Sequence, residues 1–390
     1  YLEDVARANK LICNIDLVTD NSLTTAERAQ YKAEAKIFRA MVMFDMVRLW
    51  GDFPVITTVA DDITSENIDE VYPQYFPKQN TELEAYQQIE KDLLDAVLYA
   101  PDNTPGNKTL FSKSVARTLL AKIYAEKPLR DYTKVIQYCD EVKADGFDLV
   151  DDFSDLFGMN AAGTDAKMRN TKESILEAQF TSGAGNWCTW MFGRDLVNWN
   201  NNFTWAKWVT PSRDLISAFK QEGDEVRFKE SIVYYDCNWS NYYPSDNYPF
   251  MYKCRSANSS IIKYRYADVL LLKAEALIMQ DTPDLEGAAD IIDEVRDRAK
   301  LGALPTSVRS NKNAMLNALL KERRLELAFE GQRWFDLVRL DKVEEVMNAV
   351  YAKDSGRKAQ IYTFDKNSYR LPIPQSVIDA NDKIHQNPGY

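Results

Sequence analysis

The sequence predicts an all-α fold in which tetratricopeptide-like helix pairs form a scaffold that carries one long, irregular, loop-rich insertion. Three observations predict it. Apolar residues recur with the 3.6-residue period of a helix in segments near both ends of the chain. Alanines stand where paired helices approach closely. Residues 150–261, between these segments, mostly lose the helical period and are rich in turn formers and aromatic rings.

The scaffold is predicted in two parts, residues 1–149 and 262–351. The first residues read as part of an amphipathic helix, and further helices are marked by their period and by Gly or Pro at their ends. In the first part they cover about 26–49, 81–99, 112–127 and 131–145. In the second part they cover about 264–280, 285–300, 311–330 and 332–350. The alanines predicted at helix contacts are Ala116, Ala121, Ala125, Ala267, Ala274 and Ala276.

Composition limits the function classes. The chain has 390 residues, 45% apolar and 27% charged, with a net charge of −11. This is a globular composition, and it lacks the positive field that holds a phosphate backbone, so we expect no nucleic-acid partner. The net charge suits neutral or cationic ligands better than anionic ones. The sequence contains no apolar run of about 18 residues, and therefore no predicted transmembrane helix.

Neither a metal nor a cofactor is predicted. The five cysteines fit no zinc spacing; Cys237 and Cys254 could form one disulfide, but buried thiols are the favoured interpretation. The only histidine, His385, lies near the C-terminus and makes a triad or a histidine metal site improbable. Acidic turns offer oxygen ligands for calcium without an EF-hand spacing, and we interpret them as solvated. These are Asp61, Asp62, Asp151, Asp152 and Asp155.

The segment KERRLELAFEGQRWFDLVRL, residues 321–340, suggests a carboxylate pair but is interpreted as structural. Glu322, Glu326 and Glu330 are spaced to share one helical face, and Arg323 and Arg324 are expected to pair with Glu326 at i, i+3. Gly331 then allows a break before the next helix. We predict a semi-buried ion network that holds the last helix pair. Asp268 and Glu275 are likewise predicted to tie neighbouring helices, and Trp50 and Trp334 to pack.

The candidate ligand residues lie in the insertion, where residues 186–208 hold five of the eight tryptophans. Sugar rings pack their C–H faces on aromatic planes, and their hydroxyls need amide and carboxylate partners. Clustered asparagine is costly to bury without partners, so a purely core segment is disfavoured. We expect some of these rings to face a ligand and the rest to pack loops. The predicted ligand residues are Trp187, Trp190, Arg194, Asp195, Asn198, Trp199, Asn200, Trp205, Trp239, Tyr242 and Tyr243.

Several phrases resemble the SusD/RagB family of nutrient-binding surface lipoproteins of Bacteroidetes, in the family's order along nearly the whole chain. They are FRAMVMFDMVRLWGDFPVI (38–56), TPSRDLISAF (210–219), IKYRYADVLLLKAEAL (262–277), KERRLELAFEGQRWFDLVRL (321–340) and RLPIPQSVIDANDKIHQNPGY (370–390). The resemblance implies one domain over residues 1–390, ending in an extended segment, 352–390. It also implies that a signal peptide and a lipid-bearing cysteine, absent from this sequence, precede the chain in the native protein.

The resemblance further implies a function without catalysis. Family members lie on the outer face of the outer membrane, held by their lipid, and capture oligosaccharides or, in some members, peptides for a SusC-like TonB-dependent transporter. Three alternatives remain open. A peptide-binding member, a helical scaffold that binds only protein, and an all-helical glycoside hydrolase all fit a chain of this size. The hydrolase needs two carboxylates flanking the scissile bond and about a dozen evenly spaced helices.

Overall fold

The computed structural model of the chain describes residues 1–180, 210–237, 243–353 and 363–390. Sixteen α-helices are assigned within these ranges, and we number them in chain order. They are α1 Leu2–Asn14, α2 Thr25–Trp50, α3 Ile68–Val71, α4 Glu82–Tyr99, α5 Lys113–Ala125, α6 Tyr132–Ala144, α7 Ser154–Phe157, α8 Arg213–Glu222, α9 Glu225–Ser231, α10 Tyr266–Met279, α11 Leu285–Arg298, α12 Thr306–Arg309, α13 Lys312–Glu326, α14 Arg333–Arg339, α15 Val343–Lys353 and α16 Gln375–Ala380.

Capping residues fix the starts of the two long scaffold helices. Thr24 and Glu27 form a capping box at the start of α2, since each side chain bonds the other residue's backbone N–H. Thr81 and Glu84 do the same for α4. Helix α2 ends at Trp50 and is capped by Gly51, whose φ of 75° favours glycine. These ends lie within one residue of the predicted ones.

The scaffold core is formed where consecutive helices pack together. Helix α2 packs on α4, α4 on α5, α5 on α6, and α6 on α10, which also contacts α11 and α13. Apolar side chains from all of these helices are buried in one cluster. The six alanines predicted at helix contacts are almost fully buried, so close helix approach is confirmed. The all-α prediction with paired helices is therefore confirmed.

Two small antiparallel sheets interrupt the helical pattern. Strands β1 Ser174–Ala178 and β4 Ile261–Arg265 form one sheet, and β2 Ile232–Tyr235 and β3 Tyr248–Met251 form the other. In the second sheet the register runs from Ile232 opposite Met251 to Tyr235 opposite Tyr248. Apart from these strands and α7 to α9, the described part of residues 150–261 is irregular, as predicted.

The last described segment, residues 363–390, packs back on the first scaffold part. The Leu371 N–H donates to the Leu49 carbonyl at 2.7 Å, and the Asn387 amide donates to the Trp50 carbonyl at 2.8 Å. Arg370 forms an ion pair with Glu82 at 2.7 Å. The C-terminal segment thus packs over the C-terminal end of α2, although the two are far apart in sequence.

A buried ion network centred on Glu326 joins the scaffold to the insertion. The Glu326 carboxylate, fully buried, accepts hydrogen bonds from Arg227 of α9, Arg265 of β4 and Arg298 of α11. Burial opposes ionisation, but these cations hold the pKa of Glu326 well below its ordinary value. The same guanidinium groups reach further carboxylates, namely Asp224, Glu173, Glu322 and Glu330.

The predicted ion network is thus present, but two details of its prediction were wrong. Arg323 and Arg324 do not pair with Glu326; Arg323 bonds Asp268 and Asp336, and Arg324 bonds Asp214. Helix α13 ends at Glu326, so Glu330 lies in the following turn rather than on the same helical face. The tertiary environment determines the ion partners. Carboxylates on other elements reach Arg323 and Arg324 and form pairs that are more deeply buried than pairs between neighbours on one helix.

A second buried network ties the helix pairs as predicted for Asp268 and Glu275. Asp268 accepts from Lys122 of α5 at 2.6 Å and from Arg323 of α13 at 2.7 Å. Arg339 of α14 donates to Glu275 of α10 and to Asp336. Trp50 and Trp334 pack against apolar clusters, also as predicted.

The segment predicted as one helix over 332–350 forms two helices, α14 and α15. The break falls at Asp341, whose φ of 54° is left-handed and cannot continue a helix. The Lys342 N–H donates to the Leu337 carbonyl at 2.8 Å across this turn. Leu340 and Lys342, on either side of Asp341, have good helix propensity, which concealed the break in the sequence.

No disulfide joins the cysteines that the structure describes, Cys13, Cys139, Cys237 and Cys254. Cys139, Cys237 and Cys254 are buried, as favoured, whereas Cys13 is exposed, and a bridge between Cys237 and Cys254 is not formed. Within the described ranges, no helix combines the length and the apolar composition needed to cross a membrane.

Replacing Glu326 by glutamine should destabilise the protein strongly. The substitution removes the charge that three buried guanidinium groups share, and such a loss costs about 3–5 kcal/mol. A matched control is Glu286→Gln, because Glu286 is exposed and its ion pair with Arg309 contributes about 0–1 kcal/mol. Urea unfolding followed by circular dichroism measures both variants. Equal free energies of unfolding for the two variants would contradict the proposed role of Glu326.

The buried carboxyl group of Glu126 should make the folding stability depend on pH. Its carboxylate makes no hydrogen bond or ion pair within the described residues, and burial raises its pKa although Arg48 and other cations oppose this. The folded state therefore holds the proton more tightly than the unfolded state, and this group lowers stability as pH rises above 4.5 through the folded pKa. We expect Glu126→Gln to raise the urea midpoint at pH 7 and to differ little from the wild type near pH 4. A variant less stable at pH 7 would contradict this.

Candidate functional site

A groove of about 430 Å³ is lined by helix α8, strand β2 and residues between 243 and 247. Its walls combine tyrosine rings with side chains that can hydrogen bond. We call it the tyrosine groove. Its lining residues are Arg213, Ile216, Ser217, Lys220, Gln221, Tyr234, Tyr243 and Asn247.

Helix α8 supplies one wall because of its residue spacing. Positions 213, 216, 217, 220 and 221 follow the i, i+3, i+4, i+7, i+8 pattern and so share one helical face. On the opposite side, Leu215 and Phe219 are buried against α13 and β2. Ser212 caps the helix start by accepting from the Leu215 N–H at 3.1 Å, and Gly223 ends it in the left-handed region. The helix is therefore fixed independently of any ligand.

Tyr243 forms the second wall and is held by contacts with Pro211, Tyr248 and Arg213. Its hydroxyl donates to the Pro211 carbonyl at 2.7 Å. Its ring meets Tyr248 edge to face with centroids 5.6 Å apart, and the Arg213 guanidinium lies 5.0 Å from the ring centroid. A half-buried tyrosine held in this way presents a pre-positioned aromatic surface, which lowers the entropy lost on binding.

Tyr234 lies on strand β2 and completes the aromatic lining. Its ring centroid is 6.4 Å from that of Phe228, which in turn contacts Phe219 of α8. Burial raises the pKa of the Tyr234 hydroxyl, so the group is neutral and able both to donate and to accept. Within the described residues this hydroxyl makes no hydrogen bond, and it is available to a ligand.

The remaining lining groups are polar and mostly exposed. Gln221 donates to the Ser217 hydroxyl at 3.2 Å, and Asn247 lies in the turn after Pro244. Lys220 extends from the last turn of α8. Amide, hydroxyl and ammonium groups around aromatic faces are the combination that the hydroxyls and C–H faces of a sugar require.

A second cleft, of about 350 Å³, lies beside the turn that follows α13. Its charged groups bond one another: Lys263 donates to Asp45 at 2.7 Å, and Lys253 donates to Glu330 at 2.6 Å. Burial lowers the pKa of Lys253 to about 8, although Glu330 opposes the shift. Because these groups are already satisfied, the tyrosine groove is the better candidate for a ligand.

No metal centre is apparent in the part of the chain that the structure describes. No group of three or more His, Cys, Asp or Glu side chains there is close enough to hold an ion. One of the two acidic turns is instead paired with lysines: Lys167 bonds Asp152 and Asp155, and Lys172 bonds Asp151.

Of the residues predicted to contact a ligand, Tyr243 lies in the tyrosine groove. The others fall outside the described residues, in 181–209 or 238–242. They are Trp187, Trp190, Arg194, Asp195, Asn198, Trp199, Asn200, Trp205, Trp239 and Tyr242. Their contact with a ligand stays a prediction.

The wall formed by α8 was not predicted from the sequence. TPSRDLISAF contributes to the family resemblance, and none of its polar residues is among the predicted ligand residues. A usable signal was present, since Arg213, Ser217 and Lys220 follow one face of that helix. Asn247, in the turn before β3, had no comparable signal.

Comparisons with known proteins give SusD-related matches in both the N-terminal and the C-terminal parts of the chain. A family model described as SusD family matches residues 246–390, and one described as starch-binding associating with outer membrane matches residues 1–125. SusD-like protein P2 of Formosa agariphila is 28% identical over 99% of this chain and 78% of that protein. Starch-binding protein SusD of Bacteroides thetaiotaomicron is 24% identical over 97% of this chain and 76% of its own.

The fold is likewise found among solved structures. Surface glycan-binding protein A of Bacteroides thetaiotaomicron, solved in complex with laminarihexaose, superposes with a TM-score of 0.76. The match covers 98% of this chain and 83% of that one at 21% identity. At this identity the likeness establishes the shared fold.

The anchoring of Tyr243 can be tested through its hydroxyl. Tyr243→Phe removes the hydrogen bond to Pro211 and should lower the free energy of unfolding by about 1 kcal/mol. Tyr234→Phe is the matched control, with an expected change within about 0.5 kcal/mol. Urea unfolding compares the two. A larger loss for Tyr234→Phe than for Tyr243→Phe would show that this anchor is misassigned.

Proposed function

The chain belongs to the SusD/RagB family, and we propose that it binds oligosaccharides at the bacterial outer membrane without cleaving them, for delivery to a SusC-like TonB-dependent transporter. In this proposal the protein lies on the outer face of the membrane, held by an N-terminal lipid. The tyrosine groove is the observation that carries the binding function. The residues predicted in 181–209 and 238–242 belong to the same site.

The groove supports the proposal through its chemistry. Two tyrosines and the apolar Ile216 offer surfaces for the C–H face of a sugar ring, and neighbouring amide and hydroxyl groups can bond its hydroxyls. An additional argument is position in the sequence. Trp205 lies eight residues before Arg213, and Tyr242 immediately precedes Tyr243. Some of the predicted aromatic residues are therefore close in sequence to residues that line the groove.

Names of relatives support the same ligand class. One relative is named a starch-binding protein, one solved neighbour holds laminarihexaose, and the description of one matching family model contains the words starch-binding and outer membrane. The glycans in those names differ from one another. We therefore extend to this chain the class, a glucan-like or other oligosaccharide, rather than one sugar.

A hydrolase is the less favoured alternative. Glycoside hydrolysis uses two carboxyl groups on either side of the scissile bond. Among the described residues that line the tyrosine groove, none is a carboxylic acid. A peptide ligand is the remaining alternative within the family, and it would bond the same polar groups through its backbone.

A glycan array and a peptide library, probed with the purified chain, test the proposal. We expect binding to a set of oligosaccharides and no release of shorter products on prolonged incubation. Peptide binding without glycan binding would show that the ligand is a peptide and not an oligosaccharide. Turnover of a bound oligosaccharide that one Asp or Glu substitution abolishes would show that the protein is a glycoside hydrolase.

Truncating Tyr234 or one of the predicted ligand tryptophans should weaken glycan binding without unfolding the protein. For Tyr234→Ala, and likewise for Trp187→Ala, Trp199→Ala or Trp239→Ala, we expect a loss of about 0.5–1.5 kcal/mol. That loss corresponds to roughly a 2- to 12-fold rise in Kd. Titration calorimetry with the best array ligand measures it, and a thermal melt checks folding.

The matched control is Tyr31→Ala, because Tyr31 is an exposed tyrosine of α2 that is absent from the groove lining. Its Kd should equal that of the wild type. If all four aromatic variants lower the melting temperature and leave the Kd unchanged, these rings are packing residues and the groove assignment fails.

A further inference from the structure

The connection between α2 and α4 carries an unbalanced set of charges. It runs over residues 51–81 and contains two short helical elements, α3 and one turn of 3-10 helix over Tyr72–Tyr75. We call residues 58–76 the acidic segment, because they include five carboxylates and no lysine or arginine. All five are exposed, and none forms an ion pair within the residues that the structure describes. They are Asp61, Asp62, Glu66, Asp69 and Glu70.

The acidic segment also exposes large apolar side chains. Ile68, Tyr72 and Tyr75 follow the i, i+4, i+7 spacing and so share one face of this short helical stretch. The Tyr72 ring contacts Phe76, with centroids 4.8 Å apart. Soluble proteins rarely leave such side chains grouped in solvent unless a partner covers them. The apolar residues that are 44–53% exposed are Val59, Ile63, Ile68, Tyr72 and Tyr75.

Polar groups within the acidic segment fix its backbone. The Tyr75 hydroxyl donates to the Asp61 carbonyl at 3.0 Å. The Asn67 amide donates to the Asp62 carbonyl at 3.0 Å and accepts from the Thr64 N–H at 2.7 Å. These bonds use no carboxylate, so the acids stay available while their positions are defined. A surface ordered before it meets its partner loses less entropy on docking.

The charges indicate the chemistry of the partner. Carboxylates beside apolar side chains complement a protein surface that presents arginine or lysine among apolar groups. An anionic lipid surface would repel the acids, and a second copy of this chain has a net charge of −11. A metal ion is disfavoured, since the described ranges contain no group of three or more His, Cys, Asp or Glu side chains able to hold one.

We propose that the acidic segment docks on a basic protein surface. Arginine or lysine side chains of that surface pair with the carboxylates, and its apolar groups cover Ile68, Tyr72 and Tyr75. The inference rests on the proposed function, under which this surface belongs to the partner transporter. The acidic segment contributes no residue to the described lining of the tyrosine groove, so docking and glycan binding can be tested separately.

Capture of the transporter from solubilised outer membranes of the source bacterium tests the inference. The immobilised full chain should retain a TonB-dependent transporter, identified by mass spectrometry. High salt, about 500 mM NaCl, should release it because salt screens exposed charges. Biolayer interferometry with the purified transporter then measures Kd. We expect Tyr72→Ala to raise Kd roughly 5-fold or more, and Asp69→Asn combined with Glu70→Gln to raise it roughly 2- to 20-fold. Glycan affinity and melting temperature should be unchanged.

Matched controls are Tyr99→Ala and the pair Asp281→Asn with Asp297→Asn, because these residues are exposed and lie outside the acidic segment. Their Kd for the transporter should equal that of the wild type. Equal Kd values in all variants, or equal losses in segment and control variants, would overturn the inference and leave glycan binding standing.

Two further outcomes would also overturn the inference. Self-association of the wild-type chain in sedimentation, lost in the segment variants, would assign the acidic segment to a second copy. If the wild-type chain binds glycans on the array but retains no transporter, delivery to a transporter fails and the inference fails with it. An array without glycan binding, beside intact capture of the transporter, would instead reject the ligand class and leave the docking surface standing.

Discussion

Three guanidinium groups converge on the carboxylate of Glu326, and they come from different parts of the chain. Arg227 is on α9 in the insertion, Arg265 is at the end of β4, and Arg298 ends α11. Buried charges are costly unless every one is paired, so this cluster is stable only when all four elements are in place. The insertion is therefore held against the scaffold by electrostatic complementarity, in addition to apolar packing. The position of α8, and with it the groove, depends on this assembly.

Much of the fold could be predicted from local sequence features. Helical periods, Gly and Pro at helix ends and contact alanines located the scaffold helices, because these signals act within one turn or between adjacent helices. Ion partners were harder to predict. The expected i, i+3 pairs of Arg323 and Arg324 with Glu326 are replaced by contacts with Asp268, Asp336 and Asp214, which no local pattern identifies. Long-range ion pairs depend on the tertiary arrangement. They therefore cannot be predicted from the spacing of residues along one helix.

The candidate site could be predicted in part. Composition drew attention to aromatic residues in the insertion, and Tyr243 was among those selected. Arg213 and Lys220 were overlooked because a short amphipathic helix is usually interpreted by its buried face, here Leu215 and Phe219.

The separation of the two faces of α8 has a consequence for how such a protein diversifies. Asp214 and Glu222 take part in fixing the helix, whereas Ser217, Lys220 and Gln221 contact neither the buried ions nor the apolar clusters. Substitutions at these outward positions leave the stabilising pairs intact. Under the proposed function, ligand preference can therefore change over generations with little loss of folding stability. A lineage meeting a new polysaccharide can alter recognition by few mutations on an unchanged framework.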